Sequence, residues 1–330
     1  MDGNKNYKVL ITGCAGFIGF HCTLALLQTK AEVLGIDNLN NYYDVRLKTD
    51  RLNILRSFEN FTFKKTELNH YETLKNLFEE FQPNIVIHLA AQAGVRYSLQ
   101  HPLTFADSNL TGFVNMLECC RNYSVKHLLY ASSSSVYGAN HKVPFSENDP
   151  VEKPISLYAA TKRANELLAY TYSHLFHLPC TGFRLFSVYG EWGRPDMAYF
   201  RFTENILKGL PIDVYAEGKL ERDFTYIADV INAILGMLDI LPVDETGIPY
   251  KIYNIGNHQP VSVANFIKTL EEIIGKKAVV RHLPMQPGDV PKTYADISSI
   301  QKAIGFTPST DLKTGLQKFV NWFTSYYKIS

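Results

Sequence analysis

The run Gly13-Cys14-Ala15-Gly16-Phe17-Ile18-Gly19 is the first part of this chain whose residue types and spacing could do chemistry. It follows the apolar segment 7–12 and opens Phe17–Leu27, where apolar residues recur at helical spacing. Glycine permits a tight turn and lets backbone amides approach a pyrophosphate, whose charge a helix N-terminus favours. That chemistry is dinucleotide binding, through a G-x-x-G-x-x-G turn one residue longer than G-x-G-x-x-G. Asp37 ends the next apolar segment, and a carboxylate there accepts both ribose hydroxyls and repels a 2′-phosphate. The following residue is Asn38 rather than arginine, which favours NAD over NADP.

A second constellation is Tyr158-Ala159-Ala160-Thr161-Lys162. Residues four apart on a helix share a face, about 6 Å apart along the axis, so phenol and ammonium fit one site. A phenol with a pKa near about 10 is a poor base at neutral pH. A lysine charge and the positive nicotinamide of NAD both favour the phenolate. Upstream, the segment 127–131 runs into Ser132-Ser133-Ser134-Ser135. At that end of a strand a hydroxyl reaches the same substrate oxygen as the phenol. Alone, a Y-x-x-x-K pair is an ordinary helix surface and a serine run an ordinary turn. In this order, with the glycine loop and Asp37, they form a specific set.

The elements that must position these residues alternate regularly. Segments 7–12, 32–36, 85–89, 127–131 and 180–186 read as strands, and 54–63 leads into another. Helical spacing covers 17–27, 71–81, 104–121 and 158–177. Such alternation demands a parallel sheet with helices on both faces: an α/β, doubly wound (Rossmann) fold that binds ligands at the strands' carboxyl ends. Beyond residue 191 glycine and proline recur among shorter elements, with helices expected at 198–208, 230–241, 263–274 and 312–326. The expected division is an NAD-binding domain over 1–183 and a smaller mixed α/β C-terminal substrate domain mainly over 184–330. Segment 228–256 is expected to return to the first domain.

Composition narrows the function classes. With 33 basic and 32 acidic residues the net charge is +1, which gives no footprint for nucleic acid or an anionic membrane. No apolar stretch reaches the roughly 18 residues of a membrane span. The polar residues 1–7 run straight into a strand and are read as lacking a signal peptide, so a cytoplasmic protein is expected. Five scattered cysteines make no disulfide framework and the histidines have no zinc spacing; no metal is expected.

With these motifs in place, the chain resembles the extended short-chain dehydrogenase/reductases, the nucleotide-sugar epimerases and dehydratases. The resemblance runs from Lys8 to the Tyr294-Ala295-Asp296 region. Within that family it is most similar to the UDP-glucuronate 4-epimerases. The segments that carry this are Ala93-Gly94-Val95-Arg96-Tyr97-Ser98, Tyr189-Gly190-Glu191-Trp192-Gly193-Arg194-Pro195-Asp196-Met197-Ala198, Arg222-Asp223-Phe224-Thr225-Tyr226 and Gln286-Pro287-Gly288-Asp289-Val290-Pro291.

The resemblance implies an isomerase that passes hydride from carbon 4 of a UDP-sugar to bound NAD, turns the 4-keto sugar over and returns the hydride. It implies Tyr158 as base, Lys162 on the nicotinamide ribose and Ser133 on the reacting hydroxyl. It further implies Glu67 and Leu68 beside the adenine, and Leu89, Ala90 and Ala91 along the cofactor. Asn109 would sit behind the tyrosine and Phe186 near the nicotinamide. Arg222 is expected on the diphosphate and Arg194 on diphosphate or sugar. Arg96 is expected on the sugar or in a structural role, and Tyr215 on uracil or in the core. Asp289 would touch the uridine ribose or close a loop. A homodimer through 104–121 and 158–177 is the family expectation.

The departures from the family pattern sharpen the substrate. Dehydratases and decarboxylases of this family carry acids directly after the catalytic hydroxyl, where this chain has Ser134 and Ser135. Elimination needs an acid and a base, which hydroxyls of ordinary pKa do not supply. With Ser187 they could instead donate hydrogen bonds to a sugar carboxylate without carrying charge. The leading expectation is interconversion of UDP-glucuronate and UDP-galacturonate. A UDP-glucose or UDP-N-acetylglucosamine 4-epimerase and a UDP-glucuronate decarboxylase are the enzyme alternatives. An NAD-sensing binding protein on the same fold is the non-enzyme alternative.

Overall fold

The computed structural model describes residues 7–286 and 289–329. Pro287 and Gly288, within one of the segments that carry the resemblance, lie outside the described residues. Twelve strands follow in chain order: β1 (Lys8–Thr12), β2 (Glu32–Asp37), β3 (Phe61–Lys65), β4 (Ile85–His88), β5 (His127–Ser133) and β6 (Cys180–Leu185), then β7 (Ser187–Tyr189), β8 (Pro211–Tyr215), β9 (Glu221–Tyr226), β10 (Tyr250–Ile255), β11 (Pro260–Ser262) and β12 (Val279–Leu283). The main sheet has the order β10-β6-β5-β4-β1-β2-β3, and every pair in it is parallel. The strand order reverses between β1 and β4, and the crevice for a dinucleotide opens at the carboxyl ends there.

Both faces of this sheet are covered, which is why its strands read as nearly continuous apolar runs. Alternate residues feed two cores. Val9, Ile11, Val33, Ile85 and Ile87 pack into one, and Leu10, Leu34, Val86, Leu128 and Tyr130 into the other. The chain leaves the sheet after β6 and returns as β10, whose residues pair one-to-one with β6 from Tyr250 against Cys180 to Ile255 against Leu185. The remaining strands form a three-stranded sheet, β11-β9-β7, and a two-stranded one, β12-β8. Helices Ala198–Lys208, Val263–Ile274 and Leu312–Tyr327 pack beside them. No helix among the described residues is long and apolar enough to cross a membrane.

Three departures from the sequence reading have a physical reason in the structure. Helix Val45–Leu55, capped by the Asp44 side chain on the Arg46 amide, was not expected. Its buried face includes Lys48 and Arg51, so it shows no apolar stripe. The single helix expected over 104–121 is a short helix, Pro102–Phe105, a π-helical turn, Ala106–Thr111, and a helix, Gly112–Asn122. The widened turn carries Asn109 into the core. The helix expected over 230–241 is Ile227–Gly236, since the chain turns at Met237.

Candidate active site

β1 ends in a turn that only glycine makes cheaply. Gly13 has φ of +73° and donates its amide to the Ile36 carbonyl at 2.7 Å. A Cβ on Gly13 would stand 2.9 Å from the Ala90 backbone, and one on Gly19 would overlap the Gly13 carbonyl. Helix Phe17–Leu27 has no side chain capping its N-terminus, so its first amides remain for an anionic ligand. This is a cradle of the size and polarity that a pyrophosphate requires, and NAD fits it.

Asp37 lies at the end of β2 and is buried. Its carboxylate accepts from the Leu39 amide at 2.8 Å and from the Ala15 amide of the glycine turn at 3.2 Å. Burial raises its pKa, opposed by the charge of Lys48. Further along this wall the Asn38 amide donates to Glu67 at 3.1 Å. Asn38, Glu67 and Leu68 line the far end of one cavity of about 1150 Å³. Gly13, Gly16, Phe17, Ile18 and Gly19 line the same space, with Leu89, Ala90 and Ala91 after β4.

The Ser133 hydroxyl, at the end of β5, and Tyr158 and Lys162, on helix Leu157–Phe176, meet in that cavity. Ser156 caps this helix by accepting from the Ala159 amide at 3.1 Å. Burial raises the Tyr158 pKa, while the neighbouring Ser133 hydroxyl and the Arg194 charge oppose that rise. Lys162 is buried and donates to the Ala131 carbonyl at 2.7 Å. Desolvation lowers its pKa to about 8. Ser134 and Ser135 form the turn that follows, Ser187 opens β7, and Phe186 stands beside it; all four line the cavity.

The remaining expected residues divide into two groups. Arg194 is held by Asp196 through two hydrogen bonds, at 3.0 and 2.8 Å, and Tyr42 donates to the same carboxylate at 3.0 Å. At the other end Asp289 stands between Arg222, at 3.8 Å, and Arg96, at 3.9 Å. The Arg96 guanidinium lies 5.0 Å from the Tyr215 ring centroid. Asn109, expected behind the tyrosine, does not line the cavity. It is buried, accepts from the Gln92 amide at 2.7 Å and donates to the Gln92 carbonyl at 3.0 Å and to Thr161 at 3.1 Å. It braces the loop after β4 against the helix of Tyr158.

Sequence reasoning missed Lys48, Tyr42 and Arg51. Lys48 lines the cavity and donates to Asn40 at 2.8 and 2.9 Å. Arg51 is fully buried and donates to Ala15 of the glycine turn at 2.8 Å, to Trp192 and to Gly193 at 3.1 Å. It ties the cofactor turn to the segment that carries Arg194. Only a basic residue on an otherwise unremarked helix hinted at this. Among the described residues no cluster of His, Cys, Asp or Glu is placed to hold a metal.

Comparison with known proteins identifies the family. Residues 9–256 match the NAD dependent epimerase/dehydratase family. UDP-glucuronate 4-epimerase 1 of Arabidopsis thaliana is 48% identical over 97% of this chain and 77% of its own length. The UDP-glucuronic acid 4-epimerase of Bacillus cereus, solved with UDP-glucuronic acid and NAD, superposes with a TM-score of 0.90 at 32% identity, covering 97% of this chain and 100% of that one. The UDP-glucose 4-epimerase of Thermotoga maritima, solved with UDP-glucose, gives 0.87 at 30% identity over 97% and 99%. A glycine cradle, a carboxylate at the end of β2 and a Ser-Tyr-Lys set in one cleft, together with these likenesses, place the chain in the NAD dependent epimerase/dehydratase family.

Proposed function

We propose that this protein is a UDP-glucuronate 4-epimerase, interconverting UDP-glucuronate and UDP-galacturonate. The observation that carries the reading is the pair of uncharged hydroxyls, Ser134 and Ser135, directly after Ser133 in the cavity of Tyr158 and Lys162. NAD, when bound on the glycine cradle and Asp37, supplies the acceptor and later the donor of the hydride at carbon 4. Lys162 holds positive charge beside Tyr158, whose phenolate takes the proton of the 4-hydroxyl while Ser133 hydrogen-bonds the reacting oxygen. The oxidised sugar has a ketone beta to its carboxylate, and such acids lose carbon dioxide readily. Ser134, Ser135 and Ser187 hold that carboxylate by hydrogen bonds and present no strong acid to carbon 5. Arg222 and Arg96 anchor the diphosphate end, so the sugar turns about its linkage and presents the opposite face. Tyr158 then returns the proton.

Proton NMR of UDP-glucuronate incubated with the purified protein tests this. UDP-galacturonate without a pentose is the expected product. UDP-xylose or a 4-keto-pentose would replace the reading with a decarboxylase. Ser134→Ala and Ser135→Ala should raise decarboxylated product or abolish binding; unchanged kinetics and product ratio would remove the carboxylate cradle. The likeness to the Thermotoga maritima enzyme favours one second reading, a neutral-sugar 4-epimerase, which faster turnover of UDP-glucose than of UDP-glucuronate would establish.

The proposed assembly is a homodimer. Helix Leu157–Phe176 exposes Leu157, Leu167, Tyr170, Leu175 and Phe176, an apolar face suited to a second copy of this chain. Sedimentation should show two chains, and Leu167→Glu should give one.

A further inference from the structure

Beneath the catalytic groups, outside the cavity, lies a carboxylate that the reaction above does not use. Glu166 is one helical turn past Lys162 on the same face, and its side chain is 0% exposed. Ser132, the neighbour of Ser133 on β5, donates to it at 2.6 Å. Arg184 on β6, itself 3% exposed, donates to both of its oxygens, at 2.9 and 3.0 Å. Arg163 reaches it from the partly exposed rim at 3.0 Å. The strand that carries Ser133, the strand that leads to Phe186 and Ser187, and the helix that carries Tyr158 and Lys162 therefore converge on one side chain.

We propose that Glu166 is a positioning residue of the epimerisation: it locks β5 and β6 to the helix that carries Tyr158 and Lys162, and it sets a buried carboxylate one helical turn from Lys162 on the same face. The proposal rests on the reading of Tyr158 and Lys162 as the working pair. Geometry carries the first half. A buried carboxylate with three donors from three places admits one arrangement, and losing it leaves Arg184 an uncompensated buried charge.

Electrostatics carries the second half. Burial disfavours the charged Lys162 amine, and Glu166 is the neighbour that opposes this. The other buried groups around them contribute no negative charge near neutral pH. His88 on β4 is held neutral, its pKa lowered to about 3. Burial raises the phenols of Tyr130, Tyr137 and Tyr250, and it raises the Cys180 thiol to about 12. Asp107 on the π-helical turn and Arg96 line the same cavity as Lys162 and are common to every variant below.

The test compares Glu166→Gln with Arg163→Met. Two quantities are followed: the alkaline limb of kcat for UDP-glucuronate, and the titration of the Lys162 amine by NMR of carbon-labelled lysine, assigned through its loss in Lys162→Met. Glu166→Gln removes a negative charge, so both should move down by about one pH unit, with KM nearly unchanged. Arg163→Met removes a positive charge from the opposite side of the same carboxylate, so both should move up. A role in packing alone would lower stability and kcat in either variant without moving the Lys162 titration, and that result would overturn the proposal. Should Glu166→Gln not fold, Arg163→Met decides by itself. The amine titration needs no turnover. A Tyr158→Phe variant that still epimerises would overturn the working pair and leave the Glu166 result to stand or fall by NMR.

Discussion

The wall of the cleft that takes the cofactor is held by backbone groups and short side chains, whereas the wall that takes the nucleotide-sugar is held by long charged ones. On the first, Asp37 and Gln92 have their partners at 2.7 to 3.2 Å. On the second, Asp289 stands 3.8 and 3.9 Å from Arg222 and Arg96, close enough to hold them but beyond hydrogen-bond range. The difference matches the two ligands of the proposed reaction. NAD is regenerated each turnover and has no need to leave, so its wall is satisfied and rigid. The sugar nucleotide must enter and exit, and on its wall Arg222 and Arg96 reach Asp289 only across 3.8 and 3.9 Å, which leaves donors for a diphosphate. Arg51 is the joint between the two walls.

Acid should break the cofactor wall first, with the largest effect. His88 and His127 are buried and His21 is half-buried, and desolvation lowers their pKa values to about 3, 4 and 4. Their folded values lie below the ordinary 6.5, so the stability they contribute is intact above that pH and drains away as pH falls toward about 4. Each could forfeit about 3 kcal/mol, and His21 and His88 lie on the elements that hold the glycine turn and the strand beside it. Denaturant midpoints and copurified NAD, measured from neutral pH downward, should fall together over that window. A midpoint independent of pH there would contradict the burial.

Tyr158→Phe comes next. It should lower kcat by roughly 10²- to 10⁴-fold, the range of a lost acid–base group, while NAD stays bound. Loss of NAD instead would mean the two walls share the tyrosine structurally. Arg51→Met should cost about 3 kcal/mol, because it strands the buried carbonyls of Ala15, Trp192 and Gly193. It should loosen both walls at once, seen as lower NAD occupancy and a higher KM. An effect on one alone would show the walls to be independent. Smallest should be the substrate-wall arginines: Arg222→Met raises KM by about tenfold and the more exposed Arg96→Met by a few-fold, neither changing bound NAD.

How much of this was legible in the sequence follows the same division. Helices Phe17–Leu27, Tyr71–Phe81, Ala198–Lys208 and Val263–Ile274 begin and end where periodicity and their breaking residues put them. The glycine turn, Asp37 and the Tyr158–Lys162 spacing were readable because each is local: a strand end, a tight turn, or one helix face. Helix Val45–Leu55 was not, since the side chains it buries include a lysine and an arginine whose partners lie far along the chain. The π-helical turn was not, since what widens it is the hydrogen bonding of Asn109 to Gln92 and Thr161.

By itself, then, the sequence determined the doubly wound α/β plan, the dinucleotide turn and the spacing that brings Ser133, Tyr158 and Lys162 into one cavity, because these depend on side-chain period and short-range backbone geometry. Only the tertiary structure decided that Asp289 stands between two arginines from different segments, that Tyr42 reaches the Asp196 carboxylate that holds Arg194, and that Glu166 gathers β5, β6 and the helix of Tyr158. Most of these partners lie tens to hundreds of residues apart. A charged residue has no preferred partner at a distance along the chain until folding sets the burial and the geometry that make one pairing better than the rest.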